Sequence, residues 1–551
     1  MNLLRRTGLV LGFWSAGLIL AAAQDDPHAT CARMGWVPRE ILERPVTLRE
    51  GTGNAKESLS TSSPEAQAFY NQGLNYLHGY VWVEAARSFH QALRADPKLA
   101  MAWVGLSFVY SGLDDPEQAR RAIAQADAVA AAASPREKRR IALRANQLEA
   151  MADPGDAIRH AAYKKALDDA LAIDFEDVDL WLLRGNAEEA SAAGRGQRGG
   201  VASTAFYHAA LRLAPDNADA HHYLTHSYET IGQIPLALRH GEAYSRLSPA
   251  IPHAHHMWGH DLRRVGRIDE AIAAFRRTDE MEKAYYVAER IPPEMDWHHV
   301  HNLDLLATAY QHKGQMRQAE ATMREATALP PTSDYVEFQQ KLLSIFLIGR
   351  QRWDDALEAT GRLVHGRWSA TRAVGHALRG HALLARSRMP EARAALEAAE
   401  VELAAVPASG AGIAVSRGQV KPWVDTLRGE VRLREGAGPE GRRILEEVAR
   451  TLRGLPGPDA WIQALFRLES MARVAREVGQ WELAEFMARQ MLEHDAAYGG
   501  SHLALALVAE RAGDREAAAG ARAEAARFWR DADRDLPELA IAGGPSVRSE
   551  R

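Results

Sequence analysis

Two histidine pairs, His222 with His226 and His256 with His260, hold most of the chemistry this chain can offer. Residues four apart share one face of a helix, so each pair presents two imidazoles in the same direction. His256 follows His222 by 34 residues and His260 follows His226 by the same 34. Paired imidazoles are ligands for transition metals. With Cys31 the sole cysteine, a thiolate site is excluded, and an imidazole-dominated set suits copper, zinc, iron, manganese or nickel over magnesium or calcium. The two-histidine spacing also occurs in zinc proteases, but the glutamate that activates water is missing, with Tyr223 and Met257 in its place. Glu229, one turn beyond His226, is the candidate base or outer partner.

The elements that must position these side chains follow from the same period. Aligning Ala218 with Pro252 also aligns Gly232 with Gly266 and Ala237 with Ala271, and a third copy from Val300 places Gly314 and Ala319 at the same offsets. A period of 34 with glycine and alanine in those slots is the tetratricopeptide (TPR) repeat, one helix-turn-helix unit per copy. Counting from the first residue of each copy, positions 2, 5 and 9 of the first helix line the concave groove. Position 2 holds Asp219, His253 and His301; position 5 holds His222, His256 and Asp304; position 9 holds His226, His260 and Thr308. The expected ligand set is His222, His226, His256, His260, His301 and Asp304, with His253 and Asp219 as second choices. Asp296, His298 and His299 are placed to join from above. His221 and His255, at the aromatic position 4, read as core, and His78, His90, His160, His208 and His240 as solitary structural residues.

Further copies begin at Ala66, Ala100, Val178, Glu337, Ala373, Pro422, Leu465 and Gly499, with a degenerate pair over Arg136 to Asp174. No strand pattern competes. The expected fold is therefore all-α, a superhelical solenoid of antiparallel helix pairs. It divides into an irregular lead over 24–63, an array over 64–331 with its histidine-rich copies in 218–331, a second array over 332–535, and a disordered tail over 536–551. Two interruptions stand out. The glycine-rich Gly194 to Gly200 lacks a phosphate-loop lysine and reads as a surface insertion. An insertion of 14 residues between the second and third histidine copies, roughly Ala284 to Trp297, reads as a lid over the groove.

Arg5 and Arg6 precede an apolar run from Gly8 to Ala22, with small residues at Ala21, Ala22 and Ala23, the pattern of a secretory signal peptide over 1–23. Export to the periplasm or beyond is expected, with no membrane association past that segment. The 67 basic and 72 acidic residues leave a net charge of −5, which gives no footprint for nucleic acid.

Five blocks, Met34 to Pro45, Ala86 to Leu93, Ala220 to Tyr228, His253 to Leu262 and Trp297 to Leu305, resemble a group of secreted bacterial tetratricopeptide proteins with recurring histidine-rich blocks. The resemblance covers most of the chain to about Pro331 and implies fold and export. In a broader related set the third histidine block has histidine where this chain has Asp304. Two functions follow as alternatives: a groove holding a transition-metal site, with or without metal-dependent catalysis, and a scaffold binding an extended peptide or envelope partner in the groove.

Overall fold

The computed structural model describes residues 37–543 apart from 154, 190–193, 409–414 and 455–457. Residues 1–23, where a signal peptide is expected, and Cys31 lie outside the described residues. Those residues form an all-α TPR solenoid, with no strand among them. Twelve helix pairs follow one another from Pro64–His78 with Trp82–Ala95 to Gly499–Ala512 with Arg515–Phe528. Small residues let the two helices of a pair approach. A Cβ on Gly73 would stand 2.7 Å from the Phe89 ring, and one on Gly259 would stand 2.7 Å from Phe275.

The turn between the paired helices repeats one backbone solution. In ten copies counted from the expected starts, the fifteenth residue is left-handed: Tyr80, Asp114, Gly232, Gly266, Gly314, Gln351, Ser387, Gly436, Gly479 and Gly513 all have positive φ. This conformation costs an L-residue about 1 kcal/mol or more, which explains the glycines. Tyr80 takes it nonetheless, at φ 59.

The histidine copies are built from Ala218–Thr230 with Ile234–Leu247, Pro252–Arg264 with Ile268–Glu289, and Trp297–His312 with Met316–Ala328. They lie between the two ends of the chain. On one flank the lead straps the first repeat to them: the Ala250 N–H donates to the Gly51 carbonyl at 2.9 Å, and the Ala218 N–H donates to Asn54 Oδ1 at 3.1 Å. On the other flank His312 Nε2 meets Asp495 Oδ2 at 3.0 Å, and Trp529 Nε1 donates to the His312 carbonyl at 3.1 Å. Buried apolar contacts follow both joins, one cluster running from Val37 to Trp297 and another joining Leu262 and Leu305 to Trp529 and Leu539. The groove is consequently filled at the histidines, and His222 and His256 are fully buried.

Three expectations are corrected. The glycine-rich insertion packs inward: Gly196, at φ 84, passes so close to Tyr223 that a Cβ would stand 2.2 Å from its ring, and the Arg195 carbonyl accepts from Tyr80 Oη at 2.6 Å. The 284–297 insertion is no loop over the histidines. Ala284 to Glu289 continue the helix Ile268–Glu289, and Pro293–Met295 form a single 3-10 turn. The tail opens with buried Leu536 and the helix Pro537–Ile541, held by the second apolar cluster; residues 544–551 lie outside the described ones.

Candidate metal centre

The structure sorts the expected ligands into two triads with one design. His222, His226 and His253 form the first; His256, His260 and His301 form the second. Each takes positions 5 and 9 from one copy and position 2 from the next, so that consecutive first helices face each other across the site. This rule explains the two acids. Asp219, at position 2, would need partners at positions 5 and 9 of the preceding copy, where Leu182 and Asn186 stand. Asp304, at position 5, is followed by Thr308 at position 9 and Phe338 at the next position 2. Both acids are buried, and neither joins a triad. His253, a second choice from sequence, is a full member.

In the first triad the three Nε2 atoms form a triangle: 3.1 Å from His226 to His222, 3.0 Å from His253 to His222 and 3.4 Å from His226 to His253. Two ligands on bonds of about 2.0–2.1 Å, at angles between octahedral and tetrahedral, stand roughly 2.8 to 3.4 Å apart, so the triangle fits one ion. In the second triad His260 Nε2 stands 2.8 Å from His256 Nε2, and a nitrogen of His301 lies within 4.8 Å of both.

Hydrogen bonds on the far side of the rings fix which nitrogen carries the proton. Asn302 Nδ2 donates to the Phe275 carbonyl at 3.0 Å, which turns Asn302 Oδ1 toward His256 Nδ1 at 2.9 Å. That oxygen only accepts, so His256 carries its proton on Nδ1 and has a lone pair on Nε2. Glu229 Oε1 faces His260 Nδ1 across 3.5 Å, an ion-pair distance at which no hydrogen bond is made. The His256 lone pair thus points at His260 Nε2 across 2.8 Å in a buried site. In the first triad Glu282 accepts from His298 Nδ1, and at 2.9 Å from His299 Nδ1. With His298 as a neutral ring, its Nε2 accepts from His253 Nδ1, 3.0 Å away, and the His253 Nε2 lone pair is aimed at the triangle.

Four of the six rings resist protonation. Burial, reinforced by the facing imidazoles, holds His222, His253 and His256 well below the ordinary histidine range, and burial holds His226 at about 4. Glu282, although buried, stays below the usual carboxylate range because His298 and His299 offset the cost of burial. Glu229 is lowered chiefly by His260, against burial. It faces a ring nitrogen turned away from the triad, the place of an orienting partner.

Two participants escaped the sequence reading. Glu282 sits just past the point where the equivalent helix of the first copy ends at Leu247, on the longer helix of the second copy. Tyr80 comes from the turn of the first repeat, and its ring centroid lies 4.6, 5.1 and 6.1 Å from those of His222, His253 and His226. A left-handed non-glycine residue against the histidines is the one signal that could have marked it. The remaining histidines do structural work. His221 and His255 are half-buried instead of core, and their Nε2 atoms reach the Pro215 and Pro249 carbonyls at 3.2 and 3.0 Å. His78 is buried between Tyr223 Oη at 2.7 Å and Asp179 at 3.1 Å. A third convergence, Asp279 with His299 and Glu325, is organised about Lys283, whose Nζ lies 2.9 and 2.8 Å from the two acids.

No family model matches the chain, and no curated protein matches it. Among solved structures, the human IFIT1 dimer with m7Gppp-AAAA is similar at 11% identity and a TM-score of 0.33, over 92% of this chain and 98% of that one. Yeast Tom70 is similar at 11% identity and a TM-score of 0.32, over 87% and 95%. PilW, described as a widely conserved type IV pilus biogenesis factor, is similar at 18% identity and a TM-score of 0.23, over 42% of this chain and 98% of its own. Among the described residues no helix is long and apolar enough to cross a membrane.

Proposed function

We propose that the chain is an exported metalloprotein holding two transition-metal ions, one in each repeat-related triad. The convergence of ring nitrogens carries this reading: three Nε2 atoms within 3.4 Å of one another in the first triad, and the Nε2 atoms of His256 and His260 2.8 Å apart in the second, are spaced to share a cation. Three imidazoles per ion leave coordination positions open, as in catalytic zinc sites, and the donor set admits copper, zinc or iron. A bound ion would supply Lewis-acid or redox chemistry; the chain's own part is to fix the tautomers and exclude water. The apolar run before Gln24 supports export. Protein purified without a polyhistidine tag and analysed for metals should contain about two equivalents. Less than half an equivalent, after reconstitution with copper(II) and zinc(II) in turn, contradicts the reading.

The fold itself favours a second reading, an interaction scaffold, because stacked helix pairs expose long surfaces for protein partners. Since the groove is filled at the histidines, a partner would use other faces. Capture from envelope extract that survives chelator supports the scaffold; capture that chelator abolishes counts against it.

A further inference from the structure

An open cavity of about 740 Å³ lies beside the first triad. Its walls come from four places: Gly51 of the lead, Tyr80 and Trp82 of the first repeat, Pro252 opening the second histidine copy, and Tyr285 and Met295 from the long helix and the turn after it. Its polar part is formed by His253, Glu282, Asp296 and His298, the groups that orient the triad. The volume lies within the range of pockets for small organic ligands, and burying apolar walls of this kind is the usual source of affinity in them.

We propose that this cavity binds a neutral, flat aromatic molecule bearing a hydroxyl group. Flatness follows from the stacked rings of Tyr80 and Trp82, 5.4 Å apart and inclined by 28°, which offer an aromatic surface. Neutrality follows from the ion pairs already made in the walls. Arg49 stands 3.4 Å from Glu84 and pairs with Glu289; Arg87 reaches Glu84 at 2.5 Å; Glu282 is taken by His298 and His299. Of the lining charges without such a partner, Glu50, Arg277 and Glu280 are exposed, and Asp296 is held by the Tyr286 hydroxyl and the His298 N–H. The hydroxyl follows from the polar end. Asp296 already accepts from Tyr286 Oη at 2.7 Å and from the His298 N–H at 3.0 Å, yet each carboxylate oxygen there has a second lone pair suited to a hydroxyl donor. That the bound molecule is presented to a metal rests on the preceding reading. It would lie against His253 and against Tyr80, whose ring packs on all three histidines of the first triad.

The probe is 2-naphthol, titrated calorimetrically into the full chain, both metal-stripped and copper-loaded. Ala284 and Glu280 line the cavity from exposed positions on the long helix, so Ala284→Trp and Glu280→Trp fill it from the solvent side. Saturable one-to-one binding is expected for both forms of the wild type. Each filled variant should weaken it about tenfold or more, with metal content and thermal unfolding unchanged. In the copper-loaded protein the probe should also shift the visible absorption of the ion. Absence of saturable binding at millimolar probe, or equal binding by the filled variants, overturns the proposal. Saturable binding by a protein that takes up neither copper nor zinc would leave the cavity assignment standing and sink the metal reading alone.

Discussion

The two triads share one frame and differ in what surrounds it. Both take positions 5, 9 and the following 2, so repetition alone explains why three imidazoles meet twice. The surroundings come from elsewhere in the chain. The first triad has a half-buried member in His226, an aromatic cover from Tyr80, and a hydrogen-bonded line through His298 to the cavity residue Glu282. All three members of the second are buried, with Asn302 of the third copy bonded to His256, Glu229 of the first copy facing His260, and Tyr335 Oη 3.4 Å from His301 Nδ1. A repeat can duplicate a ligand set, but access and outer partners depend on which distant segments pack over each copy.

The largest expected effect separates the two sites outright. His256→Ala with His260→Ala should remove one of two metal equivalents and leave the other, and His222→Ala with His226→Ala should do the reverse. Metal analysis of both variants checks this, and loss of all metal from either would show a single shared centre. The outer partners should act with the same selectivity. Glu282→Gln breaks the line that sets the His253 tautomer and should weaken the first site by about 10- to 100-fold, while Asn302→Leu should do so only at the second. Competition titrations against a chelator of known affinity read both changes; equal effects on both sites would erase the distinction. Access should appear as a rate. Chelator should strip metal in two phases, the faster by roughly tenfold belonging to the site lost in His222→Ala with His226→Ala, since solvent and the cavity reach that triad first.

The smallest effect probes the common frame. Gly232 and Gly266 hold equivalent left-handed turns, at φ 75 and 78. Gly232→Ala, with nothing near the added carbon, should cost about 1 kcal/mol of unfolding free energy from backbone strain alone. Gly266→Ala should cost somewhat more, because its Cβ would stand 3.1 Å from that of Ala497 in the C-terminal flank. Denaturant unfolding of the two variants makes the comparison.

Much of this was legible in the residues. The 34-residue period located the turns so closely that ten copies have their left-handed residue at the expected fifteenth place, and the four-residue histidine spacing identified four of six triad members. The third donor of each triad was harder to assign. Position 2 meets positions 5 and 9 of the preceding copy only through the packing of consecutive first helices, which admitted His253 to full membership and set aside Asp219 and Asp304. Glu282 was hidden because helix Ile268–Glu289 runs on past the point where its first-copy equivalent ends at Leu247, carrying a carboxylate to histidines in the next copy. Tyr80 was hidden by distance along the chain, its ring reaching His222 only because the lead folds the first repeat onto the histidine copies. The glycine-rich insertion was misread for the same reason, since its lack of side chains serves close passage against Tyr223.

Anomalous diffraction from crystals of the untagged, metal-reconstituted protein, recorded at the absorption edge of the ion, tests the central claim most directly. Two peaks are expected, one at the centre of the His222, His226 and His253 nitrogens and one among those of His256, His260 and His301. A map with no peak at either place, from protein whose histidines hold the arrangement described above, would contradict it.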